Sequence, residues 1–239
     1  MTKSFSYAKN TSVHVVGSFS ASAQDYAKAV YALETRQGAA VSTNDLAERL
    51  GVTPGSVSAM VRKLAEVGLV EHEPYHGVTL TSQGRRVALE VLRHHRLIEL
   101  FLAQELGMAW ERVHAEAEVL EHVLSEELEE LIAARLGDPR VDPHGDPIPT
   151  ARFEIDEGHT RSLSELRVGT AGRFVRVSDA DPEMLRYLAE RGITIGERLE
   201  VVDRQPFGGP VFVHFGEREL PIGGALALAM RIETDTGEQ

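Results

Sequence analysis

The chain has 239 residues, of which 42% are hydrophobic and 26% charged, so it can bury a core and is not disordered, collagen-like or coiled coil throughout. It contains no cysteine, which excludes a disulfide scaffold, a zinc finger and thiol catalysis. Its net charge of -12 argues against a protein that coats nucleic acid indiscriminately, because phosphate binding is driven by Lys and Arg.

Residues 1–23 are rich in Ser, Ala and small polar residues and read as a loose N-terminal tail, with no compact apolar leader segment. From Ala23 onward Tyr26, Ala29, Val30 and Leu33 recur at helical spacing, and Gly38 ends the run. A second helix, capped by Ser42 or Thr43, buries Leu46, Ala47 and Leu50 before Gly51. Thr53 caps a third, with Pro54 at its first position and Val57, Met60, Val61 and Leu64 on one face. Two short helices around a tight Gly51 turn form a helix-turn-helix, and LVEHEPYHGVTLT alternates around a Pro-Tyr-His-Gly turn as a β-hairpin wing. Residues 24–83 therefore read as a winged helix-turn-helix, against the plainer alternative of a helical hairpin with no nucleic-acid role.

Residues 84–136 form long helical stretches, one running to about Leu106 and another from about Glu111 through Leu128, continuing to Leu136. Their apolar surface is too broad for a lone pair, which predicts packing against the first helix and against a second subunit. Residues 81–136 carry a net charge of -5, from eleven acidic and six basic side chains, and the histidines cluster there as well. GDPRVDPHGDPIP places four prolines between 139 and 149, so 137–161 reads as a linker. Beyond it, 162–234 consists of short apolar or alternating segments punctuated by Gly and Pro, which predicts a small β-barrel with one helix near 182–191. The predicted fold class is α+β.

His114, Glu118, Glu121 and His122 fall on one helical stripe, and His95 and Glu99 form an i, i+4 pair on the preceding helix. Acids and imidazoles on two adjacent helices can supply an oxygen and nitrogen shell for a metal ion, although acidic stripes are more often solvated faces. Glu111-Arg112-Val113-His114 matches a Glu-x-x-His motif of di-iron bundles, but such sites need two copies and two further Glu-bearing helices, which this chain does not supply. There is no G-x-S-x-G turn, P-loop or G-x-G-x-x-G fingerprint, so no enzyme and no organic cofactor are expected. A winged-helix repressor sensing a small molecule without metal is the competing reading.

The order winged helix, H-R-L-I-E, V-H-A-E-A-E-V-L-E-H, D-P-H-G-D-P-I-P and small barrel resembles the diphtheria-toxin-repressor family of metal-dependent transcription regulators over residues 23–234, and within it the manganese-responsive branch. The resemblance implies an N-terminal winged helix, a helical metal-binding and dimerisation domain (84–136) and a C-terminal SH3-like, FeoA-type barrel. It implies a primary metal site of Asp25, Glu118, Glu121 and His122. The iron-sensing branch carries Met and Cys at the positions of Asp25 and Glu118. Hard carboxylate oxygens suit Mn(II), with Fe(II) the main competitor. An ancillary site matches His95, Glu99 and His114, completed by Asp142, where many relatives carry Cys, and by Asp181 from the barrel. Lys28 stands where some manganese sensors carry Glu, which implies two separate sites.

The same resemblance implies a homodimer on a palindromic DNA operator in the cytoplasm, with recognition helices about 34 Å apart. Thr53, Pro54, Ser56 and Ser58 would approach base edges, while Arg62, Lys63, Thr43 and Tyr75 would meet phosphates. These side chains are poor in bidentate readers, so dimer spacing and DNA shape are expected to carry much of the specificity.

Overall fold

A computed structural model describes residues 18–73 and 76–235. The chain divides into two compact units, the first ending at Arg93 and taking in Pro149–Glu154, the second comprising His94–Ile148 and the residues from Ile155 onward.

In the first unit local signals set each helix. α1 (Ala21–Gln37) starts where the Ser20 side chain accepts the Ala23 amide and stops at Gly38, whose φ is 65°. α2 (Thr43–Leu50) is capped by Ser42, and α3 (Pro54–Glu66) by Thr53, which accepts the Ser56 amide with Pro54 in the first turn. Each such cap stabilises its helix by about 1 kcal/mol. Val30 and Leu33 of α1, Leu46 of α2, and Val57, Val61 and Leu64 of α3 are buried. The exposed face of α3 is thereby fixed.

β1 (Val70–Glu73) and β2 (Gly77–Leu80) pair antiparallel with Val70 opposite Leu80, forming the expected wing. Tyr75 lies outside the described residues. Val41 bridges Val78, and the Glu34 carboxylate accepts the Leu80 amide at 2.9 Å, so α1 and α2 are both fastened to the hairpin. α4 (Ser82–Leu106) follows, and Gly84 sits so close beneath Leu69 that a Cβ would come within 1.9 Å of the Leu69 carbonyl oxygen. Only glycine fits there.

The second unit holds the later turns of α4 with α5 (Trp110–Leu120) and α6 (Glu126–Arg135). Leu97, Leu100, Ile132 and Ile148 form one apolar cluster, and Ile98, Leu102, Val113 and Ala117 another. The helix expected to run on past Leu120 is interrupted there: residues 121–123 form a turn, and Ser125 caps α6 by accepting the Leu128 amide. Glu126, Glu127 and Glu129 in the first turn of α6 complement the positive end of its dipole, which favours a new start over continuation.

Six strands complete this unit: β3 (Arg161–Ser162), β4 (Ala171–Val177), β5 (Arg198–Arg204), β6 (Val211–Phe215), β7 (Arg218–Ile222) and β8 (Met230–Thr234). They form one antiparallel sheet in the order β3-β8-β4-β5-β6-β7. Register shifts at Phe174/Arg176 and Val201/Asp203 bend it. With α7 (Pro182–Glu190) and α8 (Gly224–Ala229) it encloses Phe174, Leu185, Leu188, Phe215 and Ile232. The whole is an α+β chain with a C-terminal SH3-like sheet domain.

The proline-rich stretch between helices and sheet is an ordered turn. Val141 bridges Pro147, and Asp142 Oδ1 accepts the amides of His144 and Asp146 at 2.8 and 2.9 Å. Gly145, at φ 86°, lies against β4, where a Cβ would meet the Val175 carbonyl oxygen at 1.9 Å. His144 is thereby held at a fixed position beneath the sheet.

Candidate metal centre

The helical spacing of His95 and Glu99 on α4 places both side chains on one buried face, toward His114 of α5. His95 Nε2 lies 3.0 Å from Glu99 Oε1 and 3.1 Å from His114 Nδ1, and His114 Nδ1 lies 3.3 Å from Glu99 Oε1. A fourth group closes this set: Asp179, just beyond β4, brings Oδ2 within 2.7 Å of His114 Nδ1. Together these four side chains offer one ligand atom each within the span of a single ion.

Asp179 stands where Asp181 was expected. Asp181 instead caps α7, accepting the Glu183 amide at 2.9 Å, and takes no place in the cluster. An Asp before a Pro at the first helical turn is a strong cap signal, and that local demand decides its role.

Glu99 faces a second set as well. Its Oε2 lies 3.8 Å from Nδ1 of His144, and Glu99, Asp142 and His144 form a buried trio of potential ligands. His144 Nε2 contacts the Trp110 carbonyl oxygen at 2.8 Å. A carbonyl only accepts, so Nε2 is the donor, and in the neutral form of the ring the lone pair falls on Nδ1. That Nδ1 atom is buried and has no hydrogen-bond partner among the described residues. Fixing one imidazole nitrogen as donor so that the other can ligate is the arrangement metal sites use. Sequence reasoning passed over His144, although the Pro-His-Gly following Asp142 holds the signal.

The third set lies at the end of α5. His95 Nδ1 is 2.5 Å from Glu121 Oε2 and 3.7 Å from Glu118 Oε1, and His122 Nε2 is 3.5 Å from Glu121 Oε1. Glu121 is fully buried although it has left the helix. The turn carrying it is pinned by His94, whose Nδ1 donates to the Glu121 carbonyl at 3.0 Å while Nε2 contacts Glu129 Oε2 at 2.9 Å. Asp25, the remaining expected ligand, stands half-buried on α1 of the first unit.

The electrostatics are those of anions gathered around imidazoles. Burial pushes the Glu99 carboxyl up, but hydrogen bonds from His114 and His95 outweigh it and hold the group well below the usual carboxylate range. The Asp179 hydrogen bond, with Glu99, pushes His114 up to about 10. Burial, with Asp146 and Glu99 nearby, pushes Asp142 well up, although Arg96 opposes this. A dication would relieve the carboxylate crowding around Asp142 and replace the proton on His114.

On α3, Thr53, Pro54, Ser56, Ser58, Arg62 and Lys63 are all exposed, while Thr43 at the start of α2 is half-buried. Thr53 Oγ1 and Ser56 Oγ lie 3.0 Å apart, and the Ser58 hydroxyl donates to the Pro54 carbonyl at 2.9 Å. The leading edge of the helix is small, polar and internally satisfied. No helix among the described residues is long and apolar enough to cross a membrane.

Comparison with known proteins matches this organisation piece by piece. Residues 18–78 match the family described as iron dependent repressor, N-terminal DNA binding domain, residues 81–150 its metal binding and dimerisation domain, and residues 161–234 the FeoA domain. The chain is 30% identical over 221 residues to the iron-dependent repressor IdeR of Mycobacterium tuberculosis, covering 87% of this chain and 95% of that one. It is 31% identical over 222 residues to the diphtheria toxin repressor of Corynebacterium glutamicum, covering 89% and 96%. Among solved structures, a manganese-dependent transcriptional repressor in complex with manganese superposes with a TM-score of 0.83 at 45% identity, covering 89% of this chain and 99% of that one. The manganese regulator SloR superposes at 0.73 with 30% identity, covering 89% and 98%. Winged helix, ligand-bearing helices and SH3-like sheet domain thus recur together over nearly the whole length, and the chain belongs to the diphtheria-toxin-repressor family of metal-dependent transcriptional repressors.

Proposed function

We propose that this repressor is activated by Mn(II) and binds a palindromic operator as a homodimer. The observation that carries the reading is the donor chemistry: every side chain in the three ligand sets offers carboxylate oxygen or imidazole nitrogen, and the chain has no cysteine at all. Such sites give sulfur-seeking ions no added preference and suit a hard dication. The resemblance to a manganese-dependent repressor at 45% identity supports the same choice.

The primary site is Asp25, Glu118, Glu121 and His122. Shared ligation by Asp25 on α1 and by the three residues at the end of α5 would neutralise repelling carboxylates and restrain the DNA-binding helices in a competent arrangement. The ancillary site is His95, Glu99 and His114 with Asp179, and the trio Glu99, Asp142 and His144 adjoins it through the second oxygen of Glu99. Exposed Val119, Val123, Leu128 and Leu131 on and beside α5 and α6 supply an apolar face for the second subunit.

Iron(II) is the second reading, favoured by the identity of 30–31% to iron-dependent and diphtheria-toxin repressors. Anaerobic operator binding titrated with Mn(II), Fe(II) and Zn(II) separates the readings. Activation by Mn(II) at the lowest free-ion concentration relative to cellular supply supports manganese; activation by Fe(II) with no Mn(II) response overturns it, and metal-independent binding overturns both.

A further inference from the structure

A separate cleft lies within the first unit, between the first two turns of α4 and the turn at 150–154. It encloses about 220 Å³ and is lined by Ser82, Arg85, Arg86, Leu89, Arg152 and Phe153. Three arginines and a serine therefore line one cleft, and no acid is among its lining residues.

The arginines are positioned without their charges being neutralised. The Arg85 guanidinium lies over the Tyr31 ring, 4.9 Å from its centre, and the Arg86 guanidinium over the Phe153 ring at 5.2 Å. Stacking on an aromatic face holds a guanidinium plane while leaving its in-plane N–H donors available. Among the described residues none of the three forms an ion pair, and Arg86 Nε is buried with no hydrogen-bond partner. In a chain of net charge -12 such a group is conspicuous.

The far wall is built at some conformational cost. Phe153 adopts φ 60°, a left-handed conformation that a bulky side chain rarely takes. Thr150 holds it there: its carbonyl accepts the Phe153 amide at 2.8 Å, and its hydroxyl accepts the amides of Arg152 and Glu154, each at 3.2 Å. Strained backbone fixed by surrounding hydrogen bonds is characteristic of ligand clamps. The result sets the Phe153 ring under Arg86 and Arg152 at the rim.

We propose that this cleft is a phosphate-binding site. Three cationic forks match a multiply charged oxyanion with several acceptor oxygens, whereas one carboxylate would leave most of the donors unused. The shared chemistry is a phosphate group, from either a small phosphorylated molecule or the DNA backbone.

The test uses the metal-free full chain titrated calorimetrically with inorganic phosphate, with ionic strength held constant by chloride. The expected result is saturable binding of one phosphate per chain, weakened about tenfold by Arg86→Gln and by Arg152→Gln and unchanged by Arg186→Gln on α7. Circular dichroism verifies that each variant is folded; Arg152, being exposed, provides the test should Arg86→Gln disturb the unit. Non-saturable binding, or binding unaffected by either substitution, overturns the proposal. Operator affinity in Mn(II) then assigns the source: a salt slope reduced by about one in both variants identifies a DNA phosphate, and an unchanged slope identifies a free phosphorylated ligand.

Discussion

Nδ1 of His95 and Oε2 of Glu121 lie 2.5 Å apart, and Nε2 of the same ring lies 3.0 Å from Glu99. One imidazole therefore joins the ligand set at the end of α5 to the set between α4, α5 and Asp179. Occupancy of either set bears on the other through this ring, because its single neutral-state proton can sit on only one nitrogen.

Glu121→Ala tests the first set. The substitution removes a buried carboxylate from a turn that Ser125 and His94 still hold, so the dimer should stay folded while metal-dependent operator binding is lost. The measurement is operator binding against Mn(II) concentration, with dimer mass checked by light scattering. An unchanged Mn(II) midpoint would remove Glu121 from the metal site.

The second set predicts a pH dependence. His114 is held up at about 10 by the Asp179 hydrogen bond and by Glu99, against an ordinary value of 6.5. Its protonated form stabilises the metal-free protein fully below the unfolded value, and this contribution is lost as pH rises through about 10. A metal requires the neutral ring, so uptake should release a proton, and ancillary-site affinity should rise about tenfold per pH unit between roughly 7 and 9. Calorimetry in buffers of different ionisation enthalpy counts the protons. Affinity independent of pH, with no proton released, would exclude His114 as a ligand.

His94 tests positioning and stability together. It and Glu129 are both almost wholly buried, and removing the imidazole takes away a buried contact from Glu129 and another from the Glu121 carbonyl. His94→Ala should cost about 3 kcal/mol in unfolding free energy. It should also weaken Mn(II) affinity, since the Glu121 carbonyl loses the donor that fixes its turn. Denaturant melts and metal titrations report the two effects separately. A variant with wild-type stability would show that the pair contributes no net energy.

Much of this was legible in the sequence because the signals are local. Thr53 followed by Pro54, and Gly51 between two apolar stripes, specify helix starts and a turn within a few residues. His95 and Glu99 share a helical face by spacing alone. The break after Leu120 was less visible, because Val123, Leu124 and Leu128 continue a helical pattern that Ser125 and three acids override. Asp179 was out of reach for a different reason, and the Pro-His-Gly after Asp142 marks His144 without saying what it meets. Each approaches Glu99 through a loop dozens of residues away, and no periodicity reports loop closure. Asp181 carried the more obvious motif, and that motif belongs to its own helix.

Arg62 tests the proposed DNA face. It is exposed on α3, and a phosphate contact predicts that Arg62→Ala weakens binding to operator and unrelated duplex alike, with the salt slope reduced by about one. Filter binding across a salt series measures the slope. Selective loss at a single operator base pair, with the slope intact, would instead make Arg62 a base reader.

If the proposed primary site is right, metal choice should turn on Asp25 and Glu118. Replacing them in the double variant Asp25→Met/Glu118→Cys removes two hard anionic oxygens and introduces two sulfur ligands, which favour softer ions. Asp25 is half-buried on α1 and Glu118 half-buried on α5, so neither lies in a fully packed core position and the fold should survive. Circular dichroism must match the parent for the comparison to count. The variant should then need more Mn(II) for operator binding while responding relatively better to Fe(II), Co(II) or Ni(II). Because Glu121 and His122, the other two proposed ligands, are untouched, a change in ranking would trace to the two substituted donors. An unaltered ranking of metals would show that manganese preference is set elsewhere, with the ancillary sets around Glu99 as the next place to substitute.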